Sequence, residues 1–143
     1  MEIQQLHDRL NELNKAIVPI LTESGFNKNN DLYDMDCSSD PNAFMLREEL
    51  TDVLDHLDVV RSILTYINKR VIGEYTLRKN ANGRYSCEAL EFSCGNTIEF
   101  YDYDDGVEAY HWKISRIEHD GTDYYIVGSH KLQLDGLKIR VRG

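Results

Sequence analysis

Apolar residues in the first quarter of the chain recur at helical spacing. The residues concerned are Ile3, Leu6, Leu10, Leu13, Ile17 and Ile20. Steps of three and four keep these side chains on one face of a helix. Pro19 lies inside the pattern, so we expect this helix to kink or end near Val18, with Gly25 at its exit.

A second, longer helix is predicted after a loop over residues 25–38. Ser39 or Asp40 can cap it, and Pro41 suits the first turn, where its missing N–H costs nothing. Its apolar series is Leu46, Leu50, Val53, Leu57, Val60, Leu64 and Ile67. About thirty residues at 1.5 Å each predict a rod of about 45 Å.

Two such helices joined by a loop predict an antiparallel hairpin. Helix two carries further apolar residues, Phe44, Leu54 and Ile63, beside its main stripe. One stripe can cover helix one, and the other can cover either the rest of the chain or a second subunit. Because the rod is longer than a small sheet, we favour a homo-oligomer formed through the helices.

The second half of the chain has strand character. Six strands are predicted: Val71–Arg78, Arg84–Leu90, Thr97–Tyr103, His111–His119, Tyr124–Gly128 and Leu137–Val141. Short connectors rich in Gly, Asn and Asp favour hairpins. We therefore predict an α+β fold: an N-terminal helical hairpin for oligomerisation (residues 1–70), then a small six-stranded antiparallel β-barrel or curled sheet for ligand binding (71–143). The two are expected to form one cooperative unit.

The charge and composition of the chain limit the kinds of molecule that it can bind. The chain has 143 residues, of which 41% are hydrophobic and 29% charged, with a net charge of −9. It has no apolar run of about 18 residues, and its charge disfavours duplex nucleic acid and anionic membranes. The last 13 residues are locally basic, with Lys131, Lys138, Arg140 and Arg142 against Asp135 alone, so a local anion site is possible.

No apolar signal core follows Met1, and three cysteines without a CxxC suit a reducing compartment, so we expect a cytoplasmic protein.

Motifs for catalysis or metal binding are lacking. The acids over residues 34–42 are spaced as in an EF-hand but lack its glycine and its final glutamate. His111, His119 and His130, with Cys87 and Cys94, match no zinc spacing. Nucleophile elbows and phosphate-binding glycine loops are absent from the sequence. We expect a binding protein rather than an enzyme, with no cofactor.

Aromatic residues concentrate in the strand half, where rings can either fill a core or stack on nucleobases. By alternation, Trp112, Ile114 and Arg116 share one face of a strand. Arg116 either pairs with an acid such as Glu91 or Glu99, or binds an anionic ligand.

Three stretches carry a resemblance: GRYSCEALEFSCGNTIEF, WKISRIEHDGTDYYIVG and LDGLKIRVRG, within residues 83–143. They resemble a small uncharacterised domain of bacterial phages and mobile elements. A helical hairpin before such a domain also resembles the phage anti-Thoeris (anti-defence) proteins. That family binds cyclic ADP-ribose isomers, and in some members cyclic oligonucleotides, without degrading them. Its members are oligomers whose helices pack on neighbouring subunits.

This resemblance implies an anti-defence protein that sequesters a cyclic nucleotide in the cytoplasm of an infected bacterium. It implies Arg116 for phosphate and Asn96 as the amide, with Tyr85 and Phe92 stacking on a base. His130 would add a donor, and Arg61 would reach the site from the same or a neighbouring subunit.

Two other functions stay open at this stage. One is an acidic anti-CRISPR-type inhibitor whose carboxylates, over residues 31–40 and 102–108, imitate nucleic-acid phosphates. The other is an SH3-like protein-interaction module with a coiled-coil dimeriser.

Overall fold

The computed structural model describes residues 1–38 and 40–143. It forms two compact units, Met1–Lys69 and Arg70–Gly143. In the part of the chain described, no helix is both long and apolar enough to cross a membrane. The suggested cap at Ser39 falls outside the described residues.

The first unit is helical, with α1 over Ile3–Glu23, α2 over Phe26–Asn29 and α3 over Pro41–Asn68. The α3 start is confirmed: the Asp40 carboxylate accepts a hydrogen bond of 2.9 Å from the backbone N–H of Asn42, with Pro41 as the first helical residue. Of the two outcomes expected near Val18, a kink or an end, the end is wrong, because α1 runs through Pro19 to Glu23 and stops just before Gly25. Proline removes one backbone hydrogen bond, and burial of the flanking Ile17 and Leu21 stabilises this turn.

The segment expected to be a loop contains the single turn α2. Gly25 precedes it and Asn30 follows it, with φ of 78° and 58°, so both adopt the left-handed conformation that reverses the chain. Between them Phe26 is only 1% exposed. Burying this ring accounts for a turn that the polar sequence around it does not predict.

Helices α1 and α3 form the predicted antiparallel hairpin, in which Asn68 donates a 2.7 Å side-chain hydrogen bond to Asn11. Its core contains Leu54, which we expected to lie beside the main stripe of α3. The N-terminal part of that stripe is exposed, including Leu46, Leu50 and Val53, whereas Leu57 and Val60 pack against this core and Leu64 is buried. The buried side of α3 therefore includes part of the stripe and extends onto its flank at Leu54.

The second unit is antiparallel β-structure. Its strands are β1 Val71–Thr76, β2 Arg78–Lys79, β3 Tyr85–Ser86, β4 Thr97–Asp104, β5 Ala109–His119, β6 Tyr124–Ile126 and β7 Lys138–Arg142. Five of them form one sheet in the order β1-β7-β4-β5-β6, and β2 pairs with β3 in a separate two-stranded sheet.

The α+β class is therefore confirmed, but the barrel is not formed. Strands β1 and β6 are the two edges of the five-stranded sheet and do not pair with each other among the described residues. The strand predicted over Arg84–Leu90 shortens to β3, which pairs with β2 rather than with the main sheet. The sheet is consequently open.

One face of the five-stranded sheet holds the core. Ile98 and Phe100 of β4, with Ile117 and Ile139, are at most 2% exposed and pack against residues of the β2–β3 hairpin and the loops. The residues that alternate with them lie on the opposite side, which we call the outer face. The outer face carries Glu99, Tyr101, Tyr103, Tyr110, Trp112, Ile114, Arg116, Lys138, Arg140 and Arg142.

Candidate functional site

Four aromatic rings form a continuous cluster on the outer face. Tyr101 of β4 lies opposite Trp112 of β5, with ring centroids 5.3 Å apart. Tyr110 stacks on Tyr101 at 5.6 Å, and Tyr103 meets Tyr110 edge-on at 5.3 Å. Tyr103 and Tyr110 are 43% and 61% exposed. Rings held by sheet register with accessible faces can stack on planar ligands.

Cations from β7 lie beside this cluster. The Lys138 ammonium is 5.0 Å from the centroid of Tyr101 and 5.6 Å from that of Trp112. The Arg140 guanidinium carbon is 4.5 Å from the Trp112 centroid. Both are cation–π distances. The basic residues Lys138 and Arg140 near the C-terminal end of the chain thus lie beside the aromatic cluster.

Lys138 also lines a cavity of about 760 Å³, which extends from β1 to the β2–β3 hairpin. Its walls are Glu74, Tyr75, Thr76, Arg78, Ser86, Cys87, Glu88 and Lys138. The Arg78 side chain makes no hydrogen bond or ion pair with any other described residue. Lys138 pairs with Glu74 at 3.2 Å, and both side chains are 52% exposed, so solvent weakens this pair. We call the cavity together with Tyr101 and Trp112 the Lys138 site.

Arg116 lies on the outer face with Trp112 and Ile114, as strand alternation predicts. Its partner is neither Glu91 nor Glu99: the Arg116 Nε donates to Glu118 at 3.1 Å. The arginine side chain remains 59% exposed. Arg116 therefore stays available to an anion, although it does not line the Lys138 cavity.

Asn96 has a local structural contact. Its Oδ1 accepts a 2.8 Å hydrogen bond from the backbone N–H of Ser93 and closes the turn before β4. The backbone of Asn96 in turn bonds to Ile117, next to Arg116 in the chain. The structure thus brings Asn96 near Arg116, with its amide oxygen engaged.

Tyr85 and Phe92 are core residues. They are 5% and 3% exposed and pack in the cluster under the sheet. Neither ring offers a free face to a base, so the stacking role expected for them is not supported. Strand patterning alone does not separate rings that fill the core from rings on the outer face, because both kinds stand in the same short strands.

His130 lies at a second, smaller cavity of about 330 Å³, together with the hydroxyl end of Tyr85. Its ring stacks on Tyr125 at 4.2 Å, and its Nε2 is 3.2 Å from the Asp120 carboxylate. Three carboxylates line this cavity: Asp120, Asp123 and Asp135. Their negative charge disfavours a phosphate there.

Hydrogen bonding holds Asp120 and Asp123 in their charged form by lowering the pKa of each. Asp123 accepts a 3.0 Å hydrogen bond from Lys79, which lowers the pKa of Asp123 and raises that of Lys79. Backbone hydrogen bonds from Asp123 and Thr122 lower the pKa of Asp120. Burial, followed by the nearby Asp123 charge, raises the pKa of the Tyr85 hydroxyl. The cavity therefore stays acidic.

Arg61 belongs to the helical unit, on α3. Its guanidinium bonds to Asp58 one turn earlier, at 2.7 Å. The five predicted site residues of the second unit do not form one pocket: Arg116 and Asn96 are neighbours, Tyr85 and Phe92 are in the core, and His130 lies beside acids.

Sequence reasoning missed Arg78, Tyr101 and Lys138 as site residues. One signal was available, because Lys138 stands in the basic tail. Its position beside Tyr101 depends on the pairing of β7 with β4, which joins segments about forty residues apart. Local patterns do not specify such register.

Comparison with known proteins gives one family match. A model described as a domain of unknown function (DUF5348) matches residues 74–141, which include the whole Lys138 site. No curated protein and no solved structure matches the chain. From within β1 to the penultimate residue of β7, the chain is similar to that domain.

Proposed function

We propose that the protein binds and sequesters a small anionic nucleotide at the Lys138 site, without degrading it. The observation that carries this proposal is the position of Lys138. Its ammonium lies over Tyr101 and Trp112 and also lines the 760 Å³ cavity with Arg78. A base stacked on the rings would therefore place its phosphates towards two cations.

The size and chemistry of the cavity suit such a ligand. Ligand pockets typically measure about 300–1,000 Å³. The hydroxyls of Thr76 and Ser86 offer donors and acceptors to ribose, and Arg78 presents a planar guanidinium that can grip a phosphate with two hydrogen bonds. Together with the aromatic rings, these groups provide partners for the base, the ribose and the phosphate of a nucleotide.

The acidic residues of the cavity affect how a phosphate can bind there. Glu74 and Glu88 line the same cavity, so a phosphate must replace Glu74 as the partner of Lys138. That exchange is feasible because the existing pair is half-exposed and weakly held. It also makes affinity sensitive to salt.

In this proposal the ligand class is the cyclic ADP-ribose isomers, with cyclic oligonucleotides as the wider class, as the anti-Thoeris resemblance implies. Sequestration needs tight binding and slow release, and no catalytic group. The biological role would be phage anti-defence in the cytoplasm of the host cell.

The test is native mass spectrometry and calorimetric titration of the full chain with cyclic ADP-ribose isomers and cyclic di- and trinucleotides. We expect one ligand per site, recovered chemically unchanged. Arg78→Ala and Lys138→Ala should each weaken binding about 10- to 100-fold, the effect of losing a charged hydrogen bond. Lys131→Ala is the matched control, since Lys131 is exposed and does not line the cavity.

Absence of binding across the panel would overturn the proposal. So would equal affinities for Lys138→Ala and Lys131→Ala. A different result would favour the acidic inhibitor. In that case the protein binds no nucleotide, and reversing the charges over residues 102–108 abolishes its binding to a nuclease.

A further inference from the structure

One side of the helical hairpin is apolar and exposed. The side chains concerned are between 36% and 56% exposed, and we call them the hairpin face: Leu6, Leu10, Leu13, Ile20, Leu46, Leu50, Val53, Ile63 and Ile67. By contrast, the buried apolar side chains among the described residues of the hairpin are Ile17, Leu21, Phe26, Leu32, Leu54 and Leu64. The heptad-like stripes of both helices thus lie largely outside the hairpin's own core.

Both stripes lie on the same side of the hairpin. At 3.6 residues per turn, the buried Leu21 lies about 50° around α1 from the centre of that helix's stripe, and the buried Leu54 lies about 90° around α3 from the centre of its own. Both offsets have the same sense, and the buried Ile17 belongs to the α1 stripe itself. Because the helices run antiparallel, rotation of the same sense places both stripes on one side.

The contact between α1 and α3 is itself poor in apolar residues. It buries His7 Nε2 and Asn14 Oδ1, neither of which has a hydrogen-bond partner in the described chain. Buried polar atoms without partners destabilise a fold. Two helices with so small a core are also marginal by themselves. The hairpin therefore needs further apolar burial on its exposed face.

The area of the hairpin face matches what a stable dimer requires. Half-exposed aliphatic side chains in this number present about 500 Å² of apolar surface. A homodimer interface is about 65% apolar and takes roughly 800 Å² from each partner. The hairpin face by itself supplies the apolar part of such an interface.

We propose that the occupant of the hairpin face is a second copy of this chain, docked face to face in a four-helix bundle. A two-helix layer with one apolar side is half of such a bundle, and an identical copy carries the same heptad spacing along the same length. The arrangement is isologous and closes at two copies. It does not depend on nucleotide binding.

The test is the oligomeric state of the full chain, measured by analytical ultracentrifugation from about 1 to 100 μM. We expect a dimer for the wild type and a monomer for Val53→Glu, since the carboxylate would be buried at the centre of the interface. Val59→Glu is the matched control. Val59 is 58% exposed on the same helix, about a third of a turn around the axis from Val53, and its variant should remain a dimer.

Helix content by circular dichroism separates loss of the dimer from loss of the fold. If Val53→Glu unfolds, two other measurements test the dimer: the oligomeric state of Leu13→Glu on α1, and intermolecular crosslinking of wild-type chains through α3. A monomeric wild type at 100 μM overturns the proposal, as does a Val53→Glu or Leu13→Glu chain that is folded and dimeric. Equal dissociation of Val53→Glu and Val59→Glu also overturns it, because the interface would not lie on this face.

Discussion

Glu99 of β4 accepts a 2.9 Å hydrogen bond from the Nε of Arg140 on β7, directly across the sheet. Arg142 bonds to the same carboxylate at 2.6 Å. The Glu99 side chain is only 5% exposed, and its two arginine partners are 23% and 14% exposed. One buried acid thus fixes two cations on the outer face, so Arg140 is held over Trp112 while Lys138 remains half-exposed.

Glu99→Ala should destabilise the protein by about 3–5 kcal/mol, because it leaves two largely buried cations without their carboxylate. Glu118→Ala is the control: it removes the partner of Arg116, whose side chain is 59% exposed, and should cost less than about 1 kcal/mol. Urea unfolding monitored by circular dichroism measures both. Similar costs for the two variants would mean that the Glu99 cluster is not what stabilises this sheet pairing.

The sequence predicts the parts of this fold that depend on local pattern. Helical spacing located α1 and α3, and Asp40 with Pro41 marked the start of α3. Alternation correctly placed Trp112, Ile114 and Arg116 on one face. Each of these features arises within one element.

The sequence did not predict the features that depend on contacts between segments far apart in the chain. The flanking position of Leu54 in the hairpin core depends on how α1 approaches α3. The core positions of Tyr85 and Phe92, and the contact of Lys138 with Tyr101, depend on which strands pair. Tertiary packing decides these outcomes, and a sequence read segment by segment does not contain them.

Trp112 should report ligand binding directly. It is the single tryptophan of the chain and lies within the proposed site. A base stacked near it should change its fluorescence in a saturable way, with a midpoint that moves to higher nucleotide concentration as salt increases. Trp112→Phe should lose the signal while calorimetry still detects binding. A fluorescence change that is linear in ligand and equal in Lys138→Ala would indicate absorption by the nucleotide rather than binding.

His111 should titrate above its usual range. Hydrogen bonds to the backbone carbonyl of Trp112 and to the Asp104 carboxylate raise the pKa of His111, and the Asp104 pKa is lowered by the same contact and by the Gly106 N–H. The histidine contribution to stability is complete below about pH 6.5 and is lost as pH rises through the raised pKa. The aspartate contribution is present above about pH 3.9 and is lost as pH falls through the lowered pKa.

This pair can be measured by following the His111 ring protons by NMR against pH. Asp104→Asn should move the His111 titration midpoint to lower pH, because the neutral amide no longer favours the imidazolium. His119 serves as the internal reference, since its ring lies against Tyr124 and does not contact Asp104. An unchanged midpoint in Asp104→Asn would show that the carboxylate does not control the ring.

Pro19→Ala should stabilise the helical unit. Proline has no N–H to donate within α1 and costs up to about 3 kcal/mol relative to alanine in a helix interior. Burial of Ile17 and Leu21, which are 2% and 0% exposed on either side, keeps this turn helical despite that cost. Since α1 already has helical geometry through this turn, alanine needs no rearrangement to complete the hydrogen bond, and we expect a gain of about 1–3 kcal/mol in the free energy of unfolding. Ala16→Gly, in the same helix, should cost about 1 kcal/mol and calibrates the measurement. A loss of stability in Pro19→Ala would mean that the backbone restriction imposed by proline is required for the packing of Leu21 in the hairpin core.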